Sequence, residues 1–419
     1  MRKTTLILFA AYCLFSVNAQ EFTFSSDARV SLITCSPGPI VWERFGHTAI
    51  RVYDPANHLD IVFNYGVFDF NADNFILKFI KGATDYKLAA YNFRRFLPQY
   101  IVRGSWVWEQ VLNLTDEERE TIIELLLINN LPENRVYRYN FIFDNCATRP
   151  RDIIKQAIDG RLYYTLESKP KTFRQWIHYY IAPDSWLGFG IDMIFGSSSD
   201  VAAKRLESMF LPEILMNEFQ AAMIIPHDEN EEARPLVSEL RVLVEGIEDE
   251  PRRLFFLFTP MGVSILLLFL GIVCLFRRRT FYLAHRIFDT VVFILFGLIG
   301  LVIFYLDYFS LHPMVNGNVN ILWLNPLLFF IGIMLWIKSC RLITFVLAVI
   351  AGLCTIIALI SYLFGTVYFN AAYIPLALLV LIRLGNYIRR RLKKGMKIGE
   401  RKLKVRVSNV HFNWHKIRS

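Results

Sequence analysis

Hydrophobic and polar positions divide the chain near residue 250. Upstream, apolar residues come in short alternating stretches separated by Gly, Pro, Asn and Asp, the pattern of half-buried strands and turns. Ala28–Thr34, Gly46–Tyr53, Asp60–Tyr65, Ser105–Leu112 and Val136–Phe143 read as strands. Asp54-Pro55-Ala56-Asn57 is a turn signal, so the second and third strands form a hairpin. Asn74–Ile80 reads as a short helix. Thr115 followed three residues later by Glu118 is a capping box; it opens a helix that runs to Asn130 and stops before Pro132. Asp144-Asn145-Cys146 joins the last strand to another helix, which ends near Ile158. The expected fold of this half is α+β.

Downstream, the apolar positions merge into long runs: Leu254–Phe276, Ile287–Leu306, Leu327–Ile337, Ile343–Phe364 and Val367–Ile382. The clear runs approach the roughly 20 residues that a bilayer core demands. The third is short unless Ile321–Leu324 contribute. An all-α domain of five transmembrane helices is therefore expected over 251–388, behind an exported domain over 20–250. Arg277-Arg278-Arg279, Lys338 with Arg341, and a basic tail over 389–419 supply most of this half's cations. Such clusters mark the cytoplasmic face, and an odd number of spans then puts the N-terminal domain outside.

Composition agrees. The chain is 54% hydrophobic, too apolar for an ordinary soluble enzyme, and the net charge of +9 gathers in the tail, where a membrane face explains it better than nucleic acid does. Arg2 and Lys3, the apolar stretch Thr5–Phe15 and Val17-Asn18-Ala19 form a signal peptide over 1–19, cleaved after Ala19. In the loop 307–326, Tyr308 and Trp323 read as interfacial anchors, while His312 and Asn325 are candidates to face a substrate at the membrane surface.

Only Cys35 and Cys146 belong to the exported domain. A disulfide between them is the bland reading in an oxidising compartment. The alternative is chemical. Cys146 stands at a strand-to-helix junction, where the helix dipole and nearby N–H groups favour a thiolate, and Arg149 and Arg151 add positive charge and are candidates for holding substrate. A thiol nucleophile needs a base, and His47, after Phe45-Gly46 at the head of a strand, is the candidate. If the hairpin pivots about Ala56, Asn64 or Tyr65 lies across from His47 and would orient it, with Asp60 a further option. The N–H of Cys146 is a candidate oxyanion donor. The sequence carries no metal-ligand cluster, nucleotide loop or phosphate cradle, so no cofactor is expected.

The segments Ser31–Gly38, Phe45–Val52, Tyr65–Phe70, Pro132–Arg135 and Asp144–Pro150 resemble the N-terminal periplasmic domain of the Lnb lipoprotein N-acyltransferase family. Trp323-Leu324-Asn325-Pro326 and the five apolar runs resemble that family's membrane part. The His-before-Cys order is also similar to circularly permuted papain-like domains, including the lecithin–retinol acyltransferase group. The resemblance implies a permuted papain-like exported domain with Cys146 as nucleophile and His47 as its partner. It leaves the third residue open, since His58 falls at the hairpin turn, and it gives Cys35 a structural role near the site.

It further implies transfer of a fatty acyl chain, through a Cys146 thioester, from a membrane lipid or a diacylglyceryl lipoprotein to the N-terminal amine of a lipoprotein. The expected setting is the inner membrane, with the catalytic domain in the periplasm and lipids and lipoproteins as partners. A cell-wall cysteine peptidase or amidase, and a non-enzymatic envelope module, are the competing readings.

Overall fold

The computed structural model describes residues 24–68, 73–166, 169–227, 231–247, 254–276 and 282–393. The expected signal peptide, the arginines at 277–279 and most of the basic tail lie outside the described residues.

The N-terminal half is built on a seven-stranded antiparallel sheet. Its strands are β1 (Arg29–Cys35), β2 (His47–Asp54), β3 (Leu59–Val67), β4 (Asp85–Asn92), β5 (Val107–Leu112), β6 (Val136–Arg138) and, late in the chain, Val237–Val244. From one edge, the order is Val237–Val244, β5, β1, β2, β3, β4, β6. β1 is buried along almost its whole length because both faces of the sheet are covered. One face carries Ile33, Cys35, Ala49, Val62 and Val107 beneath Phe93, Phe96 and Tyr100, which come from two short helices, Phe93–Phe96 and Pro98–Arg103. The other carries Leu32, Ile50, Phe63 and Tyr65 against the helices Asp116–Asn130, Thr148–Ala157 and Pro212–Gln220.

The Thr115–Glu118 capping box forms as expected, with Glu118 accepting from the Thr115 N–H at 2.9 Å and Thr115 accepting from the Glu118 N–H at 3.2 Å. The strand expected over Val136–Phe143 ends at Arg138. Beyond it, the Asn140 side chain accepts from the N–H groups of Ile142 and Phe143 and turns the chain, a competition with the sheet ladder that asparagine often wins. β4 lies where no strand was expected, as does a small second sheet of Arg161–Tyr164, Ala222–Ile225 and Arg234–Pro235.

The C-terminal half is helical. Tyr282–Phe309 and Arg341–Leu363 are long and apolar enough to cross a membrane. Pro260–Phe276 and a helix over 373–393 accompany them. The third apolar run departs from expectation. It is broken into a 3₁₀ turn at Val319–Leu322 and a short helix at Leu327–Met334, separated by Asn325-Pro326. Eight helical residues rise only about 12 Å, far less than a bilayer core.

The two halves are joined by a polar seam. Asp192, on the helix Trp186–Ile194, is fully buried and takes hydrogen bonds from Arg174 (3.0 Å), Tyr368 (3.0 Å) and Asn370 (2.8 Å), with His178 Nε2 at 2.9 Å. Burial pushes the Asp192 carboxyl up, but hydrogen bonds from His178 and Asn370 and the charge of Arg174 outweigh it and hold it below its usual value. Asn320 donates to the Asp192 carbonyl at 3.1 Å. Asp192 therefore ties two helices of the first half to two loops of the second. Trp323, expected at the interface, is instead wholly buried between Phe369 and Tyr373 and donates to Asn320 at 3.0 Å.

Candidate active site

β2 begins at His47 because Gly46 turns the chain there. Gly46 has φ of 76°, and a Cβ at this position would lie 2.6 Å from the Cys35 carbonyl oxygen. The Gly46-His47 pair thus has a steric cause. In the antiparallel ladder His47 stands across from Cys35, so both side chains share the face roofed by Phe96 and Tyr100.

The hairpin register pairs Ile50 with Phe63 and Asp54 with Leu59. Continued to the start of β2, it sets Gly66 across from His47 and Asn64 across from Ala49. Asn64 is then a diagonal neighbour of His47 on the same face. Its Oδ1 meets His47 Nε2 at 2.6 Å, and its Nδ2 donates to the Tyr91 hydroxyl at 2.7 Å. Asn64 accepts at Oδ1, so His47 carries its proton on Nε2 and leaves Nδ1 as the basic nitrogen.

Tyr65 points to the opposite face. It is buried against Tyr137, with ring centroids 6.2 Å apart, and does not meet His47. One residue of register separates Asn64 from Tyr65, and that step changes the face of the sheet. Asp60 is engaged elsewhere, bound to Arg51 at 2.7 and 2.9 Å. His58 occupies the hairpin turn with φ of 54°.

Cys146 lies just ahead of the helix Thr148–Ala157. Asn145 organises this junction. Its Oδ1 accepts from the N–H groups of Ala147 (2.8 Å) and Thr148 (2.9 Å), and its Nδ2 donates to the carbonyls of Phe141 (2.7 Å) and Phe210 (2.8 Å). The buried asparagine thereby satisfies helix-start donors and fixes the adjacent Cys146. The helix packs on the face opposite His47 through Ile153 and Ile154. Cys146 comes to the end of the sheet, where the nearby backbone N–H of Thr48, the residue after His47, and its own N–H favour the thiolate. Gly66, with φ of 87°, abuts the Cys146 Cβ.

Burial favours the neutral form of both Cys146 and His47. Burial pushes the Cys146 thiol up to about 11, with the two N–H contacts opposing it. Burial also lowers His47 to about 4, against the Asn64 hydrogen bond and helped by Arg103. This corrects the expected thiolate. Arg149 does not offset that burial, because it is bound in a fork to Asp144 at 2.6 and 2.8 Å and stacked 3.6 Å over Tyr137. Arg151 is likewise held by Asp152 at 2.8 Å and by the Leu206 carbonyl. Cys35 and Cys146 are both free thiols, so the disulfide reading does not hold here.

His312 and Asn325 are not brought to the pair. His312 Nε2 meets the Phe79 carbonyl at 2.7 Å, docking its loop on the helix Phe75–Lys81. Asn325 accepts from the Leu327 N–H at 3.0 Å and caps the short helix that follows. The sequence assigns no role of their own to Tyr91, Asn145 or Arg103. Tyr91 sits on the overlooked β4, and the only sequence signal for Asn145 is its place beside the cysteine.

This chemistry can be set beside known proteins. No curated protein and no solved structure matches the chain. Residues 17–179 match the family model of the Lnb N-terminal periplasmic domain, and residues 251–395 match that of the Lnb transmembrane domain. Together the matches take in most of both halves, and the protein belongs to the Lnb family of lipoprotein-modifying membrane proteins, with its N-terminal domain in the periplasm.

Proposed function

We propose that the protein is a thiol-dependent acyltransferase. It moves a fatty acyl chain from a membrane lipid or a diacylglyceryl lipoprotein to the N-terminal amine of a lipoprotein. The observation that carries this reading is the 2.6 Å contact between His47 and Asn64, at the sheet end where Gly66, across from His47, abuts Cys146.

In the first step His47 Nδ1 takes the Cys146 proton as sulfur attacks the ester carbonyl. A C–S bond forms, the ester C–O bond breaks, and the imidazolium returns the proton to the departing glycerol oxygen. In the second step the lipoprotein amine attacks the thioester. A C–N bond forms, the C–S bond breaks, and the amine proton passes through His47 to the sulfur. Asn64 keeps the imidazole in the tautomer both steps need, and Tyr91 holds Asn64. The N–H of Cys146 is proposed to stabilise the oxyanion of each tetrahedral intermediate. Acyl transfer through two easier steps is the ordinary advantage of a covalent nucleophile. Exclusion of water favours aminolysis over hydrolysis.

Access for lipid is supported by apolar residues near the site and seam. Trp42 is 58% exposed in the turn before Gly46, and Ile76 is 72% exposed on Phe75–Lys81. That helix is pinned to the end of Tyr282–Phe309 by Leu311 and His312. The same reading assigns 1–19 to a signal peptide, 20–250 to a permuted papain-like periplasmic domain, 251–388 to an inner-membrane domain of five spans and 389–419 to the cytoplasm. Mass spectrometry of lipoprotein N-termini tests it. A Cys146→Ala strain should lose the N-acyl group; unchanged N-termini would overturn the reading.

A further inference from the structure

At the end of the helical half farthest from the periplasmic domain lies a cavity of about 280 Å³. Its walls come from three helices and a loop. Arg286 and Asp289 stand on Tyr282–Phe309, Lys338 in the loop before Arg341–Leu363, Arg341 at the start of that helix, and Tyr387, Arg390 and Arg391 on the helix over 373–393. Trp336 forms the remaining side, anchored by its Nε1–H to Thr290 at 2.8 Å.

Five of these residues are cations and one is an acid. The acid, Asp289, is already bound to the buried Arg383. Among the described residues, no carboxylate lies within ion-pair distance of Arg286, Lys338, Arg341 or Arg391. Arg286 instead stacks 4.0 Å over Trp336 and donates to the Leu335 carbonyl, and Arg391 stacks 5.1 Å over Tyr387. The Tyr387 hydroxyl is buried with no hydrogen-bond partner among the described residues. A concave site with surplus positive charge, an orphan hydroxyl and guanidinium groups held in place by aromatic rings is built for an anion with several oxygens.

Its position identifies the anion's class. Tyr282–Phe309 is about 40 Å long, and its far end is the one docked on the periplasmic domain, so the cavity opens at the cytoplasmic leaflet. We infer that this cavity is a phosphate-binding site between membrane helices, filled by the phosphodiester head group of an anionic phospholipid. The inference is independent of the chemistry at Cys146.

The test uses the purified full-length protein in a neutral detergent, with phosphatidylglycerol, phosphatidylethanolamine or inorganic phosphate added separately. Phosphatidylglycerol should raise Tm by about 3 °C or more and remain bound in native mass spectrometry. Phosphatidylethanolamine should do neither. The double variant Lys338→Gln/Arg341→Gln should lose both effects, and the charge-keeping pair Lys338→Arg/Arg341→Lys should retain most of them. A shift with phosphatidylglycerol alone assigns the site to a lipid head group; an equal shift with inorganic phosphate assigns it to free phosphate. No shift with either, or a shift undiminished in the glutamine pair, would overturn the proposal.

Discussion

Asn64 and His47 sit diagonally on neighbouring antiparallel strands, and their side chains meet at 2.6 Å through Oδ1 and Nε2. The contact fixes which imidazole nitrogen is basic. Replacing Asn64 with Ala should slow thioester formation by about 10- to 100-fold, less than the roughly 10²- to 10⁴-fold that a general base itself contributes, while thermal stability changes little. Tyr91→Phe, which removes only the support to Asn64, should cost a few-fold. Single-turnover acylation assays on both variants measure this, and an unaffected Asn64→Ala enzyme would remove Asn64 from the machinery.

The pH profile should carry the signature of a neutral pair. With His47 at about 4 and Cys146 at about 11, the competent form prevails across the neutral range. Thioester formation should be flat from about pH 5 to about pH 9, whereas an ordinary free thiol would show a limb near its own pKa of about 8.5. Transfer to the amine should instead rise toward about pH 8, where an α-amino group loses its proton. Rapid-quench measurement of the two steps separates them; an inflection between pH 6 and 8 in the first step would count against a neutral resting pair.

His47 should also shape acid stability. Its folded pKa lies below the unfolded value of about 6.5, so between that value and about 4 the unfolded chain binds a proton that the folded one does not. Stability from this group is complete above about 6.5 and declines as pH falls toward 4, by on the order of 1–3 kcal/mol. His47→Gln should flatten that part of the melting-temperature profile in detergent.

The sequence was legible where local chemistry acts alone. The first three strands, the capping box at Thr115 and the Cys146–His47 candidates are all visible in it, because alternation, turn residues and a short polar cap leave local marks. What it hid depends on tertiary partners. The choice between Asn64 and Tyr65 rests on one residue of register. The helix dipole at Cys146 promised a thiolate, but burial outweighs it, and Arg149 is spent on Asp144. Trp323 reads as an anchor until the aromatic residues around it are known, and the break at Asn325-Pro326 shortens what hydropathy draws as a span.

Asp192 is the residue whose loss should part the two halves. Asp192→Ala leaves buried Arg174 with Asp200 as its remaining carboxylate and removes the buried acceptor shared by His178, Tyr368 and Asn370. The cost should be roughly 3 kcal/mol or more, typical of breaking a buried pair. A lower Tm, faster proteolysis between the halves and loss of transfer to membrane substrates are the expected results. Asp192→Asn, which keeps the shape without the charge, should be milder.

Gly46→Ala places a side chain at a left-handed φ and against the Cys35 carbonyl. It should displace His47 and lower activity at least tenfold, with strain of about 1–3 kcal/mol. Ala at Gly385, which has open space around it, is the control and should be near neutral.

The central claim is that Cys146 carries the acyl group. The full-length protein, mixed with a diacylglyceryl substrate and no amine acceptor and then digested, should yield the Cys146 peptide with one fatty acyl chain. The adduct should be labile to hydroxylamine, absent from Cys146→Ala and strongly reduced in His47→Gln. Acylation at another residue, or continued lipoprotein N-acylation by Cys146→Ala, would contradict the account.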